Sequence, residues 1–339
     1  MRTFAETIAW LYTFAILTGI PSSAQQSAAD TQDPTFRTQT SLVLVDVITL
    51  DPKSLLPARD LKQKDFRLFD NGQEVPITSF DTGANFATRP VDLWLTVICN
   101  EQGKLGGSAE FLGKERLFRS ALDQLDKNDA VGVAHWCDNG EVRLDLLPTK
   151  EHDAPIRALA ETIQPIPFRT GGDWNLVGEA AFRKLIRTII RHEHQKNPQP
   201  LPVIIFLDGD HTGQPLKALN SLVDDFLETS GIVFGIKDKS VPPRPPLRYE
   251  QAEILHYMAD QTGGQYLAVP PPLYSTALEM ILTQLHFRYQ LGFVPPALDG
   301  KRHNLTVELT PEAKALHEGL RLRFRTAYIP VRETPEWAR

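Results

Sequence analysis

Several residues that can bind a metal or form a disulfide come directly after apolar runs of the sequence. They are Cys99 after residues 91–98, Cys137 after residues 129–136, and Asp208, Asp210 and His211 after residues 201–207. Carboxylates are ligands for Mg²⁺ and Ca²⁺, whereas imidazole suits transition metals. Two cysteines in an oxidising compartment can instead form a disulfide bond. The chemistry open to these residues is therefore cation binding, disulfide formation, or metal-assisted hydrolysis by the two aspartates and the histidine.

Apolar runs and helix-like segments alternate through the middle of the chain. Continuous apolar runs predict buried strands, and apolar residues spaced three or four apart predict helices. We predict strands at residues 91–98, 129–137, 141–147, 201–210, 231–236 and 265–269, and helices at 110–125, 152–163, 176–194, 216–229, 248–261 and 273–286. This alternation predicts an α/β fold whose doubly wound, mostly parallel sheet is covered by helices on both faces.

Both flanks of this region have strand-like patterns. These are a strand at 41–50, a hairpin around Asp70-Asn71-Gly72, and strands at 287–295, 303–310 and 319–331. Neither flank has enough apolar surface to fold alone, so we expect the two to form one small β-sandwich with the α/β domain inserted between them. Arg321, Arg323 and Arg325 alternate with apolar residues, which predicts a row of arginines on the solvent face of the last strand.

The N-terminus has the pattern of a secretory signal, with Arg2, the apolar residues 7–20 and the small residues 22–24. We expect a secreted or periplasmic protein with no membrane span after cleavage. The alternative is an uncleaved N-terminal helix that anchors the protein in the membrane. The expected organisation is a signal peptide (1–24), a disordered leader (25–38), the first part of the β-sandwich (39–88), the α/β domain (89–286), the second part of the β-sandwich (287–331) and a C-terminal tail (332–339).

The order of elements in the middle region resembles a von Willebrand factor A domain, which has a Rossmann-like fold. The flanks "LVLVDVITLDPKSLLPARDLKQKDFRLFDNGQEVPITSF" and "YQLGFVPPALDGKRHNLTVEL" are similar to those of a secreted family of von Willebrand factor A-related proteins found in acidobacteria. With "FLDGD" (206–210), they are the most specific parts of a resemblance that covers residues 41–331. The resemblance implies a single inserted α/β domain and a binding role at the carboxyl edge of its sheet.

The same resemblance implies a metal-ion-dependent adhesion site at that edge. Such a site combines an Asp-x-Ser-x-Ser loop, a threonine and an aspartate, whose oxygens bind a hard divalent cation. The residues at the corresponding positions of this chain are Cys99, Asn100 and Glu101 for the loop, Asp173 or Trp174 for the threonine, and Asp208 for the aspartate. Because the serines and the first aspartate are missing, we expect a degenerate site without a cofactor. The alternative is Mg²⁺ or Ca²⁺ bound in a non-standard way by a cluster of Asp208, Asp210, His211, Glu101 and Asp173.

The resemblance also implies that the strands ending at Cys99 and Cys137 are adjacent and parallel. Both sulfurs would then reach one edge, and we expect a disulfide between them. The alternative is a pair of buried, reduced cysteines. His135 shares a strand face with Cys137, but the sequence offers no third group to orient the imidazole. We interpret residues 192–194 as the solvated end of a helix.

The formal net charge of −6 argues against a nucleic-acid partner. We therefore expect a non-catalytic adhesion or scaffold module with a degenerate adhesion site. Its partner would be an extracellular or periplasmic protein, or a second copy of the chain. The alternatives are a metal-assisted hydrolase that uses Asp208, Asp210 and His211, and a purely structural protein of the cell envelope.

Overall fold

The computed structural model describes residues 42–54, 56–82, 90–99, 118–137, 140–162, 174–196, 200–207, 213–227, 230–239 and 251–330. The strands in these ranges are β1 (Val43–Leu50), β2 (Phe66–Asp70), β3 (Gln73–Val75), β4 (Ser79–Thr82), β5 (Val91–Cys99), β6 (Ala130–Cys137), β7 (Val142–Thr149), β8 (Leu201–Leu207), β9 (Gly213–Pro215), β10 (Ile232–Asp238), β11 (Gln251–Glu253), β12 (Tyr266–Val269), β13 (Tyr289–Phe293), β14 (His303–Leu309), β15 (Arg321–Phe324) and β16 (Ala327–Tyr328). The α-helices are α1 (Phe118–Leu122), α2 (Asp153–Thr162), α3 (Trp174–Glu193), α4 (Leu216–Leu227), α5 (Ile254–Thr262), α6 (Tyr274–His286) and α7 (Pro311–Leu316). None of these helices is long and apolar enough to cross a bilayer.

The largest sheet contains six strands in the spatial order β12, β10, β8, β5, β6, β7. Its neighbouring strands are parallel except β7, which is antiparallel to β6. Alternate residues of the strands pack into two hydrophobic clusters, one with α1, α2 and α6 and the other with α3, α4 and α5. The structure thus contains the doubly wound, mostly parallel sheet that the alternating pattern predicts.

The strand order of this sheet reverses at its centre. From β5 the chain continues outward through β6 and β7 on one side, then returns to β8 and continues through β10 and β12 on the other. Such a reversal places a crevice at the carboxyl ends of the central strands, which in doubly wound sheets is where ligands bind.

Strands from the two ends of the described chain form two further sheets, which we call the terminal sheets. Their strand orders are β15, β1, β13, β4 and β16, β14, β2, β3, and all the neighbours are antiparallel. A single hydrophobic cluster contains residues of both sheets, among them Val47, Leu68, Tyr289 and Val307. Segments separated by the whole six-stranded region therefore share one core.

The predicted strand 319–331 is two short strands in the structure, β15 and β16, which belong to different terminal sheets. Arg325 lies between them and is 6% exposed, so the prediction of a solvent-facing Arg325 is wrong. Its guanidinium donates to the carbonyl oxygens of Leu44 and Leu227, at 2.6 and 3.3 Å. Leu227 is the last residue of α4, where the helix dipole favours a cation. Arg325 thus connects a terminal sheet to a helix of the six-stranded domain.

A second buried arginine follows α6. The Arg288 guanidinium donates to Asp46 Oδ1 in β1 at 2.9 Å and to the carbonyl oxygen of Leu285 at 2.6 Å. Gln290 also donates to the Asp46 carboxylate, at 3.2 Å. The buried arginine charge therefore has a carboxylate and a helix end as partners.

Three helices differ from the predicted pattern. Within the described residues, the helix predicted at 110–125 ends at Leu122. The helix predicted at 248–261 begins at Ile254, because β11 before it pairs with β9. Helix α7 is absent from the prediction, although a helix start is visible in the sequence. Thr310 is its N-cap and accepts a hydrogen bond from the Ala313 backbone at 3.3 Å, and Pro311 occupies the first turn.

Candidate functional site

Four neighbouring strands of the six-stranded sheet end together at one edge, which we call the rim. They end at Cys99 in β5, Cys137 in β6, Leu207 in β8 and Asp238 in β10. Cys99 pairs with Cys137, and Leu207 pairs with both Val97 and Ile236. The four strand ends are therefore nearly level, on both sides of the reversal in strand order.

Most of the predicted site residues follow these strand ends or precede α3. Asn100, Glu101, Asp173, Asp208, Asp210 and His211 lie outside the described residues. Cys99 and Cys137 are placed at the rim by their backbone, and Trp174 is the first residue of α3. Within the described ranges no group of three or more His, Cys, Asp or Glu side chains is arranged to hold a metal ion.

A buried histidine forms a pair with an aspartate at the rim. His135 of β6 is 3% exposed, and its Nδ1 lies 2.7 Å from Oδ2 of Asp145 on β7. The other oxygen of Asp145 accepts a hydrogen bond from Arg143 Nε at 3.0 Å. Because an ionised carboxylate only accepts hydrogen bonds, Nδ1 carries the shared hydrogen. The prediction that His135 lacks an orienting group is therefore wrong, because the irregular register of β7 against β6 places Asp145 beside it.

The second ring nitrogen of His135 has a different environment. Nε2 is buried and makes no hydrogen bond with the described residues. Oε1 of Glu141 is 3.9 Å away, beyond hydrogen-bond distance. Glu141 precedes β7, and the pairing of Val142 with Trp136 places it level with the end of β6. When the imidazole is neutral, its lone pair is on Nε2, on the side of the ring nearest Glu141.

The two cysteines are opposite each other in neighbouring parallel strands. Adjacent strands lie about 4.8 Å apart, within the range of Cα separations that disulfides span. Val97 and Val133 belong to the same hydrophobic cluster, on the face covered by α1, α2 and α6. The two-residue period of a strand therefore leads us to expect Cys99 and Cys137 on that one face.

We predict that Cys99 and Cys137 form a disulfide when the protein is in an oxidising compartment. Reduction should lower the free energy of unfolding by about 3–5 kcal/mol, because the bond closes a long loop of the unfolded chain. Peptide mapping under non-reducing conditions tests the link, and urea unfolding with and without reductant tests its effect. A Cys99→Ser/Cys137→Ser variant is the control and should show no effect of reductant. Two free thiols in the unreduced, exported protein would contradict the prediction.

The residue types at the described part of the rim do not fit the hard cation that the family resemblance implies. Mg²⁺ and Ca²⁺ bind oxygen ligands almost exclusively. The strands deliver two cysteines and an imidazole, Cys99, Cys137 and His135, whose sulfur and nitrogen atoms suit softer metals. Cys99, at the end of β5, is therefore not one of the oxygen donors that such a site uses.

A buried carboxylate lies at the opposite end of the six-stranded sheet. Glu193 at the end of α3 is fully buried, so the interpretation of residues 192–194 as a solvated helix end is wrong for this residue. It accepts hydrogen bonds from Trp94 Nε1 and from Lys196 Nζ, both at 2.9 Å, and Lys196 also donates to Asp92. Burial and the neighbouring Asp92 carboxylate raise the pKa of Glu193 to about 7. This network connects α3 to β5 and changes its charge near neutral pH.

A second buried polar cluster ties three strands of a terminal sheet together. Nδ1 of His303 on β14 lies 2.9 Å from Oδ1 of Asp70 on β2, and the Tyr328 hydroxyl on β16 donates to Asp70 Oδ2 at 3.1 Å. Burial and the nearby Asp70 charge raise the pKa of Tyr328 well above its usual value. Because these three residues lie on strands that pair with one another, we interpret the cluster as a structural network that holds the strands together.

No protein-family model and no curated protein matches the chain. Among solved structures, BatB from Bacteroides thetaiotaomicron is 17% identical with a TM-score of 0.39, covering 57% of this chain and 97% of that one. The VWA domain of SpRpn10 is 13% identical with a TM-score of 0.37, covering 56% and 93%. Proximal thread matrix protein 1 from the mussel byssus, with a zinc-occupied MIDAS motif, is 13% identical with a TM-score of 0.36, covering 60% and 47%. Similarities this distant add nothing to what the strand order itself establishes about the fold.

Proposed function

We propose that the protein is a secreted or periplasmic, non-catalytic protein-binding module with an adhesion or scaffold role. Its binding part would be a von Willebrand factor A-like domain with a degenerate adhesion site. The observation that carries the proposal is the rim, where the ends of β5, β6, β8 and β10 are level with one another. Doubly wound sheets bind their ligands outside the carboxyl ends of such strands.

We further propose that the terminal sheets form a β-sandwich that carries this domain as an insertion. The pairing of β1 with β13 and the shared hydrophobic cluster support a sandwich built from both ends of the chain. Arg325 and Arg288 support a fixed attachment, because their guanidinium groups donate to backbone oxygens at the ends of α4 and α6. A rigid support of this kind would hold the rim away from the terminal sheets.

Recognition at the rim would rely on shape and hydrogen bonds. A metal–carboxylate bridge needs the oxygen ligands that Cys99, Asn100 and Glu101 replace. The partner in this proposal is an extracellular or periplasmic protein, or a second copy of the chain. Hydrolysis by Asp208, Asp210 and His211 would instead require a tightly bound metal ion in the purified protein.

A loop replacement tests the binding role of the rim. We expect a Gly/Ser linker in place of residues 100–110 to abolish recovery of a partner that the parent protein captures reproducibly from the extracellular and periplasmic fractions. The matched control is a Gly/Ser replacement of Lys53 and Ser54, two exposed turn residues between β1 and β2, which should leave recovery unchanged. Urea unfolding of both variants checks that they fold. Equal recovery with both folded variants would overturn the proposed binding edge.

A further inference from the structure

We propose that His303 is a pH-dependent latch, which holds the loop 294–302 in place only while its imidazole is protonated. This loop connects β13 to β14, and therefore joins one terminal sheet to the other. The observation behind the proposal is that each ring nitrogen of His303 lies within hydrogen-bond distance of a different aspartate. The inference does not depend on the proposed binding role and would stand without it.

Two aspartates from different segments face the imidazole of His303. Nδ1 lies 2.9 and 3.1 Å from the two carboxylate oxygens of Asp70, at the end of β2. Nε2 lies 3.2 Å from Oδ1 of Asp299, which belongs to the loop. Because an ionised carboxylate only accepts hydrogen bonds, both contacts are hydrogen bonds only when both ring nitrogens carry a hydrogen. This is the positively charged form of histidine.

Two further ionisable groups lie close to this cluster, and neither changes its charge between about pH 5 and 8. The Tyr328 hydroxyl lies 3.3 Å from Nδ1 and donates to Asp70 Oδ2 at 3.1 Å. Burial and the Asp70 charge raise the pKa of Tyr328, so its hydroxyl remains a donor. Arg325 is close enough to act on Tyr328 and remains a cation. An imidazole, in contrast, ordinarily changes its charge within this pH range.

Loss of one proton from the imidazole breaks the contact with Asp299. The remaining hydrogen stays on Nδ1, because Asp70 is 4% exposed and a buried carboxylate that loses a donor cannot turn to water. Hydrogen bonds from the Lys301 backbone and from His303 lower the pKa of Asp299, so its carboxylate is ionised in this pH range. The lone pair on Nε2 then faces a carboxylate oxygen, and the two acceptors repel each other. We expect the Asp299 side chain, which is 35% exposed, to turn into solvent.

Release of Asp299 loosens the loop where the terminal sheets contact the six-stranded domain. Asp299 Oδ1 also accepts a hydrogen bond from the Lys301 backbone at 2.9 Å, which closes a turn of the loop. The next residue, Arg302, donates to Asp224 on α4 at 2.8 Å and to Gln261 on α5 at 3.2 Å. Opening of the turn weakens both of these hydrogen bonds. A rise in pH should therefore loosen the attachment of the terminal sheets to α4 and α5.

Hydrogen–deuterium exchange of the full-length protein at about pH 5.5 and about pH 8 tests the latch. The exchange rates are corrected for the intrinsic effect of pH on amide exchange. We expect the protection of the amides of residues 299–303 to be about three- to tenfold lower at the higher pH, because a partly exposed hydrogen bond between charged groups is lost. The amides of β14 from Leu305 to Leu309 serve as an internal reference and should keep their protection. Equal corrected protection of residues 299–303 at the two pH values would overturn the proposal.

Two changes of the exposed partner should remove the pH dependence in opposite directions. In Asp299→Asn the amide can donate to the lone pair of Nε2, so the loop should stay protected at both pH values. Asp299→Ala removes the partner of Nε2, so protection should be low at both. Urea unfolding checks that each variant folds, and peptide masses check that the introduced amide is intact.

The matched control is Asp60→Asn, which changes an exposed aspartate 3.8 Å from His317. This variant should keep the pH dependence of the parent protein at residues 299–303. A parent-like pH dependence in either folded Asp299 variant would overturn the latch, whatever the outcome of the partner-recovery experiment.

Discussion

Replacing Arg288 by methionine should lower the free energy of unfolding by about 3–5 kcal/mol. Arg288 is 1% exposed, and its guanidinium is paired with the buried carboxylate of Asp46. The methionine side chain fills a similar volume but leaves that carboxylate buried without its cation. It also removes the hydrogen bond to the carbonyl oxygen of Leu285 at the end of α6. Urea unfolding, followed by intrinsic fluorescence, measures the loss.

Two further variants separate this effect from the general loss of an ion pair. Arg67→Met breaks the pair between Arg67 and Glu74, whose side chains are 40% and 51% exposed, and should cost far less stability than Arg288→Met because water screens exposed ion pairs. The double variant Arg288→Met/Asp46→Leu should recover part of the loss, because no buried charge remains unpaired. Similar losses in Arg288→Met and Arg67→Met would show that burial of the Asp46–Arg288 pair does not have the expected effect.

Replacing Glu193 by glutamine should flatten the pH dependence of stability between about pH 4.5 and 7. The pKa of Glu193 rises from 4.5 to about 7 on folding. In that window the folded protein holds a proton that the unfolded chain has released, so the contribution of Glu193 to stability decreases as the pH rises. The full shift corresponds to about 3 kcal/mol, which is the largest change we expect the variant to remove. Urea unfolding at a series of pH values measures it.

Glutamine is a suitable replacement because its amide oxygen can still accept the hydrogen bond from Trp94 Nε1. The control is Glu74→Gln on the surface. The hydrogen bond from Arg67 lowers the pKa of Glu74, so the stabilising contribution of this group is lost only as the pH falls below about 4.5. Glu74→Gln should therefore leave the slope between pH 4.5 and 7 intact. If the stability of Glu193→Gln still depended on pH as steeply as that of the parent protein, the raised pKa of Glu193 would not be the cause of that dependence.

The six-stranded sheet was predictable from the sequence because each of its strands and helices has a recognisable pattern within its own segment. β5 and β8 are almost uninterrupted apolar runs, as expected for strands buried on both faces, and the segments between them have helical periodicity. The division of the predicted strand 319–331 was not predictable, because its alternating pattern continues across Arg325. Only the competition between the two terminal sheets for partners divides it.

The candidate site was likewise predictable in part from the sequence. The sequence places Cys99, Cys137 and Asp208 at strand ends, and the resemblance to a known family implies a shared edge for them. The pairing of His135 with Asp145 depends on the register of β7 against β6, which includes an irregularity between Val133 and Ala134. No pattern in the sequence determines that register.

By itself the sequence determined the strands of the six-stranded sheet and where the chain leaves that sheet. Only the tertiary structure decided which charged side chains are buried, and with which partners. Glu193 lies 99 positions from Trp94, and Arg288 lies 242 positions from Asp46. A charged residue has the same local pattern whether it faces water or a distant counter-ion, because the free energy that decides between them comes from a partner that only folding brings near.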